Sequence, residues 1–228
     1  MSETCAVCKK IKETKICKVC GFSGDVSINK DVKPYRKKWK TKTREAKLWA
    51  QEMEKKYDIF IDPRDGKAYK TIEINGQVWM AENLAYTIGG RYYKDEPAYG
   101  KKYRLLYKWE DAIKACPKGW HLPSLEEWQS LAYMGNRFWY CKSLMAKIGW
   151  ADCEGTDDYG FAALPGGHGR YKGYSDYEFF HDYEGGYWWT SSERSAYKAY
   201  YWYIWSSGRG YKKHCYKNSL FSVRCVRD

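Results

Sequence analysis

Histidine is scarce in this 228-residue chain, with four residues at 121, 168, 181 and 214 and no metal-ligand spacing between them. No G-x-S-x-G elbow, phosphate-binding loop or dinucleotide fingerprint occurs either. An enzyme is therefore not expected. The chain also lacks a run of about 18 apolar residues, so no membrane-spanning helix is expected. Its first residues, MSETCAVCKKIKETK, contain no apolar stretch of the kind a secretory signal needs. That absence points to a cytoplasmic protein in reducing surroundings, with export by another route as the alternative.

What is abundant is aromatic. The chain holds 23 Tyr and 12 Trp, an aromatic fraction of 18%, yet its mean hydropathy is −0.79. Such a chain builds its core from large rings and leaves phenol hydroxyls near water or a partner. Charge is the other asymmetry. Residues 1–57 hold 16 Lys+Arg against 7 Asp+Glu, so nine of the twelve net positive charges sit in the N-terminal quarter. The expected organisation is a short segment over 1–29, a basic helix or linker over 30–57 and one main domain over 58–228.

In the first segment Cys5, Cys8, Cys17 and Cys20 form C-x2-C-x8-C-x2-C. Each C-x2-C turn points two thiolates at one ion, and two such turns complete a tetrahedral sulfur shell for a single structural zinc. Gly21 suits the tight turn that follows the second pair. Iron is the chemical alternative, because it accepts the same four sulfurs; two disulfides or free thiols are the plainer one. So short a segment has almost no core of its own, so metal binding and folding would be one event. From Pro34 onward the pattern becomes helical, with Tyr35, Trp39, Ala46, Trp49, Ala50, Met53 and Tyr57 near one face and Lys and Arg on the other. A solvated helix whose aromatic stripe docks on the main domain or on a second copy is the favoured reading. A nucleic-acid-binding role, in which residues 1–57 contact phosphates, is the alternative.

The main domain is organised around Cys116-Pro-Lys-Gly-Trp-His-Leu-Pro-Ser-Leu-Glu-Glu-Trp128. Pro123 stops an earlier helix, Ser124 caps the next, and Glu127 completes an S-x-x-E capping box. Leu125, Trp128, Leu131 and Ala132 then recur at helical spacing. Before this stretch, Asn75-Gly76 predicts a hairpin turn between two strands, residues 87–104 read as a loop, and Tyr107–Cys116 as an amphipathic helix. After it, residues 138–148 suggest a short helix. Gly160–Gly167 reads as a strand and turn. Alternation predicts a strand over 199–205, with a return strand over 211–216. Residues 168–187 mix Tyr, Phe and His with Gly, Asp and Ser. They read equally as an adaptable binding loop or as a packed surface loop.

The anchor stretch resembles the signature of the Fibrobacter succinogenes major paralogous domain, a C-type-lectin-like family. Other runs agree in order: Asp62–Tyr69, Ile74–Leu84, Leu106–Trp109, Gly160–Gly167, Tyr187–Ser192 and Phe221–Asp228. The resemblance implies an α+β, C-type-lectin-like domain with two scaffold helices, antiparallel sheets and long loops. It implies that Cys116 and Cys225 lie close in space as a structural pair, with their redox state open. It makes Ala81-Glu-Asn-Leu84 framework. The Glu-Pro-Asn and Trp-Asn-Asp triplets of calcium-dependent sugar-binding lectins are absent, so no calcium is expected.

The functional expectation is a non-catalytic binding module that shows a Tyr- and Trp-rich surface to a protein or glycan. Matching strand 199–205 to the resembled family puts Tyr200, Trp202 and Ile204 on the framework and leaves Tyr201, Tyr203 and Trp205 outward. The candidate face is Tyr203, Trp205, Arg209, Tyr211, Lys213, His214 and Tyr216, helped by Tyr174 and Tyr177, because Tyr, Trp and Arg are the residue types that dominate binding energy. Some lectin-like proteins diversify this region. A homo-oligomer built through the N-terminal quarter is a further expectation.

Overall fold

The computed structural model describes residues 57–134, 140–174 and 176–228. The four candidate metal cysteines and the basic helix expected from Pro34 lie outside the described residues. The fold is mixed α+β. Its strands are β1 (Asp58–Ile61), β2 (Ala68–Ile74), β3 (Gln77–Met80), β4 (Leu106–Tyr107), β5 (Trp120–His121), β6 (Gly166–Gly173), β7 (Asp176–Asp182), β8 (Gly185–Ser195), β9 (Lys198–Trp205), β10 (Gly210–Tyr216), β11 (Phe221–Ser222) and β12 (Val226–Arg227). Its helices are α1 (Pro97–Tyr103), α2 (Trp109–Ala115) and α3 (Leu125–Ala132).

Two sheets share the chain's last residues. The first, antiparallel throughout, has the order β1-β2-β3-β12-β5. The second runs β10-β9-β8-β11-β4, with β6 pairing β8 and β7 pairing β6. Asn75 and Gly76 take positive φ values of 54° and 75° at the β2–β3 turn, the left-handed pair that a two-residue hairpin demands. The capping box forms at α3: Ser124 Oγ accepts from the Glu127 N–H at 3.1 Å, and Glu127 Oε2 accepts from the Ser124 N–H at 2.7 Å. The Glu127 carboxylate also lies 3.0 Å from His121 Nε2, and Asp228 holds the other ring nitrogen at 2.7 Å. Burial alone would lower the His121 pKa, but these two carboxylates outweigh it and raise it.

β8 is the wall between two cores. Gly185 to Thr190 are buried in succession, so both faces of this strand are covered. Trp188 faces a cluster with Trp79, Trp128, Phe161, Trp202 and Ile204, while Tyr187 and Trp189 face another with Tyr69, Tyr107, Trp109, Phe221 and Cys225. Asn83, 4% exposed, ties the layers together. Its Oδ1 accepts from Trp188 Nε1 at 2.9 Å and Arg224 Nε at 3.0 Å, and its Nδ2 donates to the Tyr103 carbonyl at 3.1 Å. Cys116, at the end of α2, is joined to Cys225 by a disulfide with Cα atoms 5.8 Å apart.

Three segments differ from the sequence reading. Residues 93–103 hold a 3-10 turn and α1, where Gly100 lets the Tyr92 ring pack so closely that a Cβ would meet it at 2.3 Å. Residues 140–148 hold a bridge at Tyr140 and a 3-10 turn at Lys142–Leu144 in place of the expected helix. Residues 166–182 form a hairpin, β6–β7, in place of a loop. Its start depends on Gly167, whose φ is +64° and whose Cβ would strike the Phe180 carbonyl at 2.6 Å.

Candidate functional site

A groove of about 480 Å³ opens on the face of the second sheet that carries Tyr187 and Trp189. Its floor follows from register. Tyr187 pairs with Tyr203 and Tyr203 with Tyr211, so three phenols form one row across β8, β9 and β10. Trp189, Tyr201 and Lys213 form the next row. Tyr187 and Tyr203 are stacked at 5.8 Å with planes 14° apart, and Tyr203 lies 5.6 Å from Tyr211. The β9–β10 turn supplies Ser207 and Arg209; Trp205 and Arg209 are fixed by a 2.8 Å bond from the Trp205 N–H to the Arg209 carbonyl.

The far wall is the β6–β7 hairpin, which contributes His168 and His181. His181 has φ 63°, which breaks the two-residue alternation of β7. Both Phe180 and His181 consequently lie beside His168, each with ring centroids 5.6 Å away. His181 also meets Trp205 edge-on at 5.0 Å, and Glu184 Oε2 lies 2.9 Å from its Nδ1.

Electrostatics set the protonation states. Burial first, then His181 and Arg170, push the His168 pKa down to about 4, so its ring is neutral at physiological pH. Burial also raises the phenols of Tyr187, Tyr201 and Tyr203, with neighbouring phenols adding to it.

The His168 shift makes a pH prediction. The unfolded ring takes its proton near 6.5 and the folded one near 4, so the unfolded state binds more protons between these values. Stability is expected to fall as pH drops through that window, by about 2–3 kcal/mol from this residue. The titratable groups around it are His181, Arg170 and Tyr187, whose ring centroid lies 4.5 Å from that of His168, with Glu184 bonded to His181. Denaturation midpoints from pH 7 to 4 should flatten in His168→Phe. His121 has the opposite sign: its stabilisation is present below its unfolded value and fades as pH rises through its raised folded one.

The groove brings together five of the nine candidate ligand residues: Tyr203, Trp205, Arg209, Tyr211 and Lys213. His214 and Tyr216 are not among them. They alternate with Tyr211 and Lys213 along β10 and pair with Tyr200 and Lys198, which places them on the opposite face of the ladder. Tyr174 sits fully exposed in the β6–β7 turn, away from the groove lining. Tyr177 is buried, 7% exposed, beneath Arg91 and against Tyr171. Tyr201 follows from alternation, since it shares the face of Tyr203 and Trp205. His168 and His181 depend on a hairpin that the sequence reads as a loop.

The free cysteines among the described residues are elsewhere: Cys141 is buried, which pushes its thiol up to about 12, Cys153 donates to the Ser206 carbonyl at 2.8 Å, and Cys215 lies 3.2 Å from Ser219 Oγ. Among the described residues no three His, Cys, Asp or Glu side chains gather where they would hold a metal ion, and no helix is long and apolar enough to cross a membrane.

The described domain is thus an α+β scaffold with an open aromatic groove. A family model described as the Fibrobacter succinogenes major domain matches residues 72–227, more than half of the chain, from β2 to β12, and includes every groove residue. The chain belongs to this family. Comparison with curated proteins gave no match, and neither did comparison with solved structures.

Proposed function

We propose that this chain is a non-catalytic binding module in which a C-type-lectin-like scaffold presents an aromatic groove to a glycan or protein ligand. The observation that carries the reading is the row Tyr187–Tyr203–Tyr211 with Trp205 and Arg209 alongside it toward the β9–β10 turn. Rigid rings give contact area at small entropic cost, and a guanidinium orients a polar group. The lectin-like assignment is supported by the place of β12 between β3 and β5, beside the first strands of the domain, and by the disulfide from the end of α2 to the last strands.

The test is a panel of soluble glycans and proteins measured by calorimetry with the full chain. Trp205→Ala or Tyr203→Ala is expected to weaken the bound ligand about tenfold or more. His214→Ala and Tyr216→Ala, on the other face of the ladder, should change it less than twofold. Equal losses on both faces would sink the groove as the site.

For the N-terminal quarter the reading is one structural zinc on Cys5, Cys8, Cys17 and Cys20, followed by a basic helix. Protein purified without added metal should carry one zinc per chain, and a chain free of metal overturns it. The charge surplus of residues 1–57 favours nucleic acid as the second reading. Phosphate binding would weaken steeply with salt, whereas groove binding would not. We read the location as cytoplasmic on the strength of the paired C-x2-C motifs near the N-terminus, although the Cys116–Cys225 disulfide is of a kind more typical of oxidising compartments.

A further inference from the structure

The groove is charged on one side only. Of the side chains that line it, Arg209 and Lys213 carry permanent charge, and none is a carboxylate. Neither cation is held in an ion pair among the described residues. Lys213 Nζ stands 5.2 Å from the centre of the Tyr203 ring, over the floor. Glu184, which adjoins the groove, is engaged by His181. A pair of unpaired cations above an aromatic floor is complementary to an anion.

A second feature is the phenol hydroxyls. Those of Tyr187, Tyr201 and Tyr203 have no hydrogen-bond partner among the described residues. Half-enclosed hydroxyls of this kind favour a ligand rich in hydroxyls of its own, because each is both donor and acceptor. Size narrows the choice further. A groove of about 480 Å³ is of the size of small-ligand sites. β10 is the sheet's edge strand, but its exposed Lys212, Lys213 and His214 are the charged residues that discourage a peptide from adding as a further strand.

We infer that the groove takes an acidic sugar, a pyranose unit whose carboxylate lies between Arg209 and Lys213 and whose ring and hydroxyls meet Tyr187, Tyr201 and Tyr203. The guanidinium fork matches a carboxylate in two parallel hydrogen bonds, and the ammonium adds a point charge. This inference rests on the binding-module reading, which does not itself require an anionic ligand.

The experiment uses the full chain and short trimers of galacturonate, glucuronate and mannuronate, each beside its methyl ester, in calorimetry at fixed salt. The ester keeps the ring and removes the charge. At least one acid should bind tenfold or more tighter than its ester. Arg209→Gln and Lys213→Gln should each weaken that acid about tenfold and leave the ester unchanged, and the double variant should bind acid and ester alike. If the acid preference survives in the double variant, it arises elsewhere in this basic chain and the inference is overturned. If acid and ester bind equally and both depend on Tyr203, the acidic sugar is wrong while the groove stands. Binding of a glutamate-rich peptide with no uronate binding also overturns the inference and leaves the groove. If nothing on this panel binds, the acidic sugar is excluded, and the wider panel with the Tyr203 and Trp205 variants decides the groove separately.

Discussion

Removing the Cys116–Cys225 disulfide is expected to cost the fold about 3–5 kcal/mol and to lower its thermal midpoint by on the order of 10 °C. The bond closes a loop of 109 residues, which spans α3, the hairpin and the central strands β8 and β9. Long loops gain most, because the cross-link removes the largest set of unfolded conformations. Cys225 is fully buried beside β3, where its carbonyl accepts from the Met80 N–H at 3.0 Å, so the reduced thiol would stay in place without water. The end of α2 has a second clasp. Arg64 donates to the Ala115 carbonyl at 2.8 Å while bonded to buried Asp62 at 2.7 Å. The reduced protein is therefore expected to remain folded with a lower midpoint. Denaturant titration with and without a thiol reductant measures the difference, and Cys116→Ser alone should match the reduced protein. Thiol counting on denatured, chelated protein gives an independent check, with seven of the nine cysteines reacting when the bond is intact. If the midpoint ignores both the reductant and Cys116→Ser, the bond does not contribute to stability.

Local signals carried much of the fold into the sequence. The Ser124–Glu127 box and the Asn75–Gly76 turn are each complete within four residues, so they can be read without knowing any distant partner. Strand β9 was equally legible, because Trp202 and Ile204 at 0% exposure leave Tyr203 and Trp205 on the other face. The β6–β7 hairpin was not. Gly166, Gly167, Gly169 and Gly173 interrupt its apolar alternation, and His181 leaves the extended conformation. Its pairing comes from contact with β8 and from the Gly169–Leu220 bridge, both remote in sequence. α1 was hidden for the same kind of reason, since Gly100 and two tyrosines, Tyr99 and Tyr103, make a poor helix until Tyr103 is buried. The candidate face shows the limit of composition. Residue type gathered Tyr, Trp, Arg, Lys and His along the β9–β10 hairpin, but parity along β10 decides which of them share a face, and the two groove histidines, His168 and His181, come from another hairpin. Taking 213, 214 and 216 together crosses that parity.

Trp128→Ala is expected to be the most damaging single truncation in the domain, at about 5 kcal/mol, the top of the range for a large buried ring. Trp128 is fully buried at the point where α3 meets both sheets. Its ring lies 5.3 Å from Trp79, 5.7 Å from Phe161, 5.6 Å from Trp188 and 6.4 Å from Trp202, so one truncation removes four aromatic contacts. Each such contact adds about 0.5–1.5 kcal/mol beyond the area it buries. The neighbours are themselves held: Trp188 Nε1 donates to Asn83, and Trp79 lies in β3, so the cavity has little room to collapse. Trp128→Phe separates ring packing from the polar edge. The Trp128 indole N–H has no hydrogen-bond partner among the described residues, so removing it relieves a buried unsatisfied donor of about 1–3 kcal/mol. That relief offsets part of the lost volume, and Trp128→Phe should cost only about 1–2 kcal/mol. Chemical denaturation of the two variants measures the gap. A Phe variant as unstable as the Ala variant would mean that the indole edge, through a partner such as an enclosed water, contributes more than the stacked rings.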